Sequence, residues 1–264
     1  MREAEWRRWR RGAIRATRVA VAQEIQDEVG QAIALGDLGT VSHELGRIAD
    51  ARASYTRCLE ILRRSGDRLG EANALANLGE VEFALGRQAD AHAQLVDGGA
   101  LAAEIGCTPL VAFCDLTLGL LADEAGEAEQ AIELITSAVE QMRTDCAPRE
   151  ASNATAIVGE LLLRRGDEDE ARAWIEAALV SAEEVGAPNE VGLAAAVAAS
   201  LPNANVRALT TLVLQHAPAM RVRDRMRAHV ALWQATADKH QLNAARRALE
   251  QLVEHAPDDH RETM

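Results

Sequence analysis

The stretch SGDRLGEANALANLGEVEFALGRQADA, residues 65–91, decides how this chain is built. Leu78-Gly79 in its middle has counterparts at Leu38-Gly39, Leu118-Gly119 and Val158-Gly159, each 40 residues from the next. Seven residues after each glycine stands a second one: Gly46, Gly86, Gly126 and Gly166. Five residues further comes an alanine: Ala51, Ala91, Ala131 and Ala171. Three columns in one register over four copies define an internal repeat, the mark of stacked supersecondary units.

The residue types are those a helix hairpin needs. Between the two glycines lies the end of one helix, as in Val81-Glu82-Phe83-Ala84-Leu85. The second glycine stops that helix in the left-handed conformation, which lacks a Cβ penalty only for glycine. A second helix then begins at Arg47-Ile48-Ala49-Asp50 and at Arg87-Gln88-Ala89-Asp90. The first glycine and the following alanine are expected to face each other. Small side chains there bring the helix axes to the close end of the usual ~8–10 Å separation. Leu38, Leu78, Leu118 and Val158 supply larger neighbours, while Tyr55, Leu95, Ile135 and Ile175 fall four residues after the alanine on its own face.

Outward from these four units the register continues with losses. Toward the N-terminus the helix ending at Gly39–Leu45 runs back toward Gly30. An apolar-periodic helix over Ile14–Ile25 precedes it, as the second member of a pair whose first is absent. Toward the C-terminus Leu232-Trp233 matches the first column pair, with tryptophan in the glycine place. His240-Gln241-Leu242 stands as the turn, with Ala245 and Leu249 following. Trp233 lies 74 residues after Gly159, and Leu201-Pro202-Asn203 breaks the intervening unit. The expectation is one uninterrupted all-α array over residues 1–264, of about six antiparallel helix pairs plus a leading helix. Its units run over approximately 28–67, 68–107, 108–147, 148–187, 188–219 and 220–256.

Composition narrows the functions. The chain of 264 residues is 48% hydrophobic and 26% charged, with 41 acidic against 28 basic side chains and a net charge of −13. Such a balance disfavours a phosphate backbone as partner and favours basic or neutral ones. Apolar runs such as Leu193–Ala199 are too short to span a bilayer, and no secretory signal is visible. Cys58, Cys107, Cys114 and Cys146 form no CxxC pair, so a cytoplasmic protein without a disulfide framework or zinc is expected. No tight metal spacing, phosphate loop or nucleophile elbow occurs among the motifs, and neither an enzyme nor a cofactor is expected. Trp6 and Trp9 stand in a basic run at residues 5–11; they are expected to pack on a neighbouring repeat or on the rest of a longer protein, rather than on nucleic acid or membrane.

The order of large apolar residue, glycine, turn glycine, alanine and bulky residue resembles the tetratricopeptide repeat, in the 40-residue form of kinesin light chains and many bacterial signalling proteins. "GRxxDA" at Gly46–Ala51 and Gly86–Ala91 and the string Ser65–Gly79 carry the likeness most closely. The chain departs from the family at the first aromatic position and lacks the proline that often ends the shorter form. The resemblance implies a right-handed superhelical solenoid in which the first helix of each pair lines a concave, peptide-binding groove.

Carried over from each first glycine, the groove positions are Thr40, His43 and Glu44, then Asn73, Glu80 and Phe83. Phe113, Leu120, Asp123 and Glu124 follow in the third repeat, and Asn153, Glu160 and Arg164 in the fourth. Asn73 and Asn153 are equivalent and could hydrogen-bond an extended peptide backbone; Glu80 and Glu160 are equivalent and would favour a basic ligand. Ordinary solvated polar faces are the competing explanation of these residues. A lysine-asparagine clamp for a terminal carboxylate is not expected, since no lysine precedes Lys239.

The function expected is a protein–protein interaction scaffold for a peptide or partner domain, part of a larger bacterial signalling or regulatory protein. Two others stand beside it. A small-molecule sensor is disfavoured by the scarcity of aromatics, with Phe83, Phe113 and Tyr55 the only phenylalanines and tyrosine. Self-association through the array ends would cover the face left by the missing first helix.

Overall fold

The computed structural model describes residues 16–144 and 147–254; Trp6, Trp9, Cys146, His255 and His260 lie outside them. All regular structure among the described residues is helical. A leading helical segment over 16–24 precedes α1 (Glu28–Glu44), α2 (Ile48–Ser65), α3 (Arg68–Ala84) and α4 (Gln88–Glu104). Then come α5 (Thr108–Glu124), α6 (Ala128–Thr144), α7 (Pro148–Arg165) and α8 (Glu168–Val185). The last four are α9 (Pro188–Ala198), α10 (Val206–His216), α11 (Val222–Thr236) and α12 (Lys239–Glu254). The described residues form two compact units that divide within α5, residues 16–117 with 252–254 and residues 118–251.

In the first unit, α1 pairs with α2 and α3 with α4. The second helix α4 buries a single stripe at i, i+4, i+7 and i+11, namely Ala91, Leu95, Gly98 and Ala102; α2 buries the same stripe, at Ala51, Tyr55, Cys58 and Leu62, widened by Ile48, Ser54, Leu59 and Ile61. The first helix α3 is buried around much of its circumference, at Ala74, Leu75, Ala76, Leu78, Gly79, Val81 and Glu82. It therefore needs small residues on several faces. A Cβ built on Gly79 would lie 2.5 Å from Leu95 Cγ and 3.3 Å from the Ala91 carbonyl oxygen. The expected meeting of glycine, alanine and bulky residue is thus in place. Leu35, Ile48, Leu59, Leu62, Leu75 and Val81 complete this core.

The second unit repeats the arrangement. A Cβ on Gly119 or Gly159 would lie 2.5 Å from Cγ1 of Ile135 or Ile175. A second crossing, unmarked in the columns above, holds the other half of each hairpin. Cys58 donates from Sγ to the Ala32 carbonyl (3.1 Å). Forty residues on, a Cβ on Gly98 would lie 3.3 Å from the Ala72 carbonyl oxygen. At the equivalent place in the fourth repeat the polarity reverses, and Ser152 Oγ donates to the Ala178 carbonyl (3.0 Å).

The turns run on half the repeat length. Besides Gly46, Gly86, Gly126 and Gly166, the left-handed conformation recurs at Gly66, Gly106 and Gly186, twenty residues out of step. Gln26 belongs to the same series with φ +57°, a conformation that costs a non-glycine residue about 1–2 kcal/mol. Asp27 and Asp67 follow such turns and cap α1 and α3, accepting from the Gly30 and Gly70 amides at 2.9 Å.

The final pair departs from the expected register. The turn sits at Ala237 (φ +55°), and His240-Gln241-Leu242 lies inside α12. Trp233 is 36% exposed and is not the counterpart of the glycines. His229 and Gln241 are, with the same 12-residue separation as Gly79 and Ala91. Both are buried, and His229 Nδ1 donates to Gln241 Oε1 (2.8 Å). A slip of four residues returns to the same helix face, so Ala245 imitated the small column one turn too late. The break at Leu201-Pro202-Asn203 is where expected, with Asn203 left-handed at φ +62°.

Burial holds the His229 imidazole below its usual range; Arg225 and Arg247 add to this against the Gln241 hydrogen bond. A depressed histidine contributes stability that is complete above about pH 6.5 and is lost as pH falls toward its folded value. The carboxyls of half-buried Asp115 and buried Glu190, raised by desolvation, act in the opposite sense, so a difference isolates the histidine. Denaturant unfolding of the unaltered chain should weaken from pH 7.5 to 5.5 relative to His229→Gln, by at most about 1.4 kcal/mol per pH unit.

Candidate functional site

The first helices carry their remaining polar side chains in two groups, one in each unit. In the first unit, His43 on α1 reaches Glu80 on α3 (Nδ1–Oε2 3.7 Å), joining first helices of successive pairs. Thr40 gives its single hydroxyl proton to the Gly36 carbonyl (3.1 Å), so Tyr55 donates to Thr40 Oγ1 at 3.0 Å. Burial pushes the Tyr55 phenol well above its ordinary value, the Thr40 contact opposes it, and Glu80 and Glu44 add to it. Tyr55 is therefore a neutral donor set behind two carboxylates. Asn73 is exposed and donates to the Leu69 carbonyl of its own helix (2.9 Å). Phe113 and Glu44 are half-buried, and Phe83 is buried.

In the second unit, α9 governs the geometry. It has 11 residues against 18 in α7, and nearly all of it is buried. Its start is held to α11 by a polar knot. Asn189 donates to Asp224 Oδ2 (3.0 Å), the Arg221 amide donates to Asn189 Oδ1 (2.9 Å), and Arg221 Nε donates to Asp224 (2.6 Å). Burial alone would raise the Asp224 carboxyl; Arg221, Asn189 and Arg227 overcome it and hold it below the usual carboxylate range. Because α9 is short, α7 and α11 meet across it through Arg227 and Glu160 (2.9 Å). Arg164 on α7 donates to Asp123 at 2.7 Å. Asn153, on the same helix, is half-buried.

Between these three helices lies a cleft of about 170 Å³. Leu163, Leu193, Ala196, Val197, Ala228 and Ala231 form its apolar lining, with Glu160, Arg164, Ser200, Arg227 and Gln234 as its polar part. Glu160 and Arg164 were legible from the repeat register. Arg227, Leu193 and Ala231 were not, since they stand on the two pairs that lost the 40-residue spacing. The 12-residue separation of His229 and Gln241 would have placed Gln234 as the counterpart of Arg164.

A cation also recurs beside the packing alanines. Arg52, next to Ala51, donates to the buried Glu82 at 2.6 Å, thirty residues on. Arg172, next to Ala171, donates to the Pro202 carbonyl (3.0 Å) at the same separation. These arginines tie one pair to the next and are structural.

Comparison with known proteins agrees with this architecture. Two tetratricopeptide-repeat family models match residues 30–97 and 116–185, together more than half of the chain. No curated protein matches it in sequence. Among solved structures, it resembles a Rap protein complexed with competence and sporulation factor, with TM-score 0.76 and 11% identity over 95% of this chain and 71% of that one. It also resembles the Rap conjugation gene regulator of the plasmid pLS20 in complex with the Phr* peptide, with TM-score 0.73 and 15% identity over 85% of this chain; it spans 62% of that one. Aspartyl phosphate phosphatase F from Bacillus subtilis gives TM-score 0.69 and 10% identity, over 87% of this chain and 60% of that one. At such identities the likeness establishes an all-α helical-repeat fold. With its glycine–alanine crossings and matched repeats, the chain belongs to the tetratricopeptide repeat proteins.

Proposed function

We propose that this chain is a non-catalytic interaction scaffold of bacterial regulation that binds a peptide or partner domain on its first helices. One observation carries the reading: the first helices keep polar side chains outside the packing columns and, in the second unit, leave a cleft between α7, α9 and α11. The complexes of one Rap neighbour with the Phr* peptide, and of another with competence and sporulation factor, support it. The acidic excess of the chain favours a neutral or basic partner. Free thiols at Cys58 and Cys114, pushed up by burial to about 11 and about 12, suit a reducing cytoplasm. A drug-sized small molecule fits less well, because such sites measure roughly 300–1,000 Å³.

Partner capture from a lysate of the source organism by the unaltered chain and by Asn73→Ala/Glu80→Arg/Asn153→Ala tests this. The variant should melt like the unaltered chain and lose the captured partners. Recovery of the same partners by both would remove the first helices from the binding surface.

A second reading, self-association, has its own observation. Val21 on the leading helical segment, Ile25 in the turn after it, and Val29 and Ile33 on α1 are 50–67% exposed. Aliphatic residues this exposed in one stretch suit an association surface. Sedimentation over a range of concentrations should show a dimer that Val29→Glu/Ile33→Glu abolishes; a monomer throughout would retire this reading.

A further inference from the structure

We propose that the cleft between α7, α9 and α11 is the anchor pocket for one large uncharged apolar side chain of the bound peptide, of leucine, methionine or phenylalanine size. This rests on the peptide-binding reading above and names what that site selects.

Size is the first argument. At about 170 Å³ the cleft is close to the ~150 Å³ at which an aliphatic-lined cavity accepts benzene. One branched or aromatic side chain fits; a drug-sized ligand does not. The lining is the second. Leu193, Ala196 and Val197 come from α9, Ala228 and Ala231 from α11 and Leu163 from α7, so three helices supply an aliphatic wall in which the alanines of α9 and α11 leave the room. An apolar guest there gains about 25 cal/mol for each Å² removed from water.

Charge is the third argument, and it reverses the expectation of a basic ligand at this place. Each charged group of the lining already has a partner: Glu160 and Arg227 meet at 2.9 Å, and Arg164 meets Asp123, which stands outside the lining, at 2.7 Å. The four charges cancel. A lysine or aspartate entering would leave the pocket with a net charge beside apolar walls, which a desolvated site penalises. A neutral side chain leaves both pairs intact. The arginines use one nitrogen each in these pairs, and the remaining donors of the guanidinium forks can meet peptide carbonyls at the mouth. The pairs thus orient the peptide backbone while the floor chooses the side chain.

Selection of short random peptides displayed on phage against the immobilised full chain tests this. Enriched peptides are then titrated calorimetrically against the unaltered chain, Ala231→Phe and Ser200→Trp. The first variant fills the pocket from its wall and the second closes it from an exposed rim position, so one remains informative if the other fails to fold. Enriched peptides should share one large apolar residue. Its replacement by alanine, and each folded variant, should weaken binding about tenfold or more. Enriched peptides that share no such residue, or that bind both variants as tightly as the unaltered chain, would overturn the pocket while leaving peptide binding standing. No enrichment over an unrelated immobilised protein would remove the peptide-binding reading and the pocket with it.

Discussion

A glycine on one helix lying under a branched or aromatic side chain of the next is the contact from which the rest of this molecule follows. At Gly79 any Cβ would stand inside the radius of Leu95 and against the Ala91 carbonyl, and Gly119 and Gly159 sit likewise under Ile135 and Ile175. Each hairpin closes because one position is empty and the opposite one is filled. Close packing of this kind tolerates little change in volume. The left-handed residues at twenty-residue intervals then return the chain on itself, and first helices such as α3 and α7 come to lie among neighbours on several faces.

That burial has a functional consequence. A first helix surrounded by others can spend few positions on anything but packing, so its polar residues concentrate where neighbours do not reach. Glu80, Glu160 and Arg164 are such residues: Glu160 and Arg164 each meet an opposite charge from another helix, and Glu80 lies 3.7 Å from the His43 imidazole. The net charge of −13 therefore describes the chain as a whole and not these places. Specificity there depends on shape and on donor geometry, with charge acting over longer range on approach.

Much of this was legible in the order of residues. Gly39, Gly79, Gly119 and Gly159 announced the crossings, because a backbone contact can be met by only one residue type and so survives as a column. The second crossing was hidden, since Cys58, Gly98, Ser152 and their partners are all small but chemically unlike. The last pair is masked for a related reason. His229 and Gln241 replace a small pair by a hydrogen-bonded one, which preserves the geometry and erases the signal, while Ala245 one turn on supplied a false match. The cleft depends on the early end of α9 and on Arg227, sixty-seven residues from its partner. No local pattern encodes such a meeting; it follows only once the turn at Leu201-Pro202-Asn203 has been folded.

The complementarity of empty and filled positions is most directly measured by a double-mutant cycle on Gly79→Ala and Leu95→Ala. The first should destabilise by about 1–3 kcal/mol through overpacking, and the second by about 2–5 kcal/mol through the cavity it opens. Together the new methyl occupies part of the space the leucine vacates. The account predicts that the double variant is more stable than the sum of the two effects implies, by about 1 kcal/mol or more. Strict additivity, within about 0.3–0.5 kcal/mol, would contradict it.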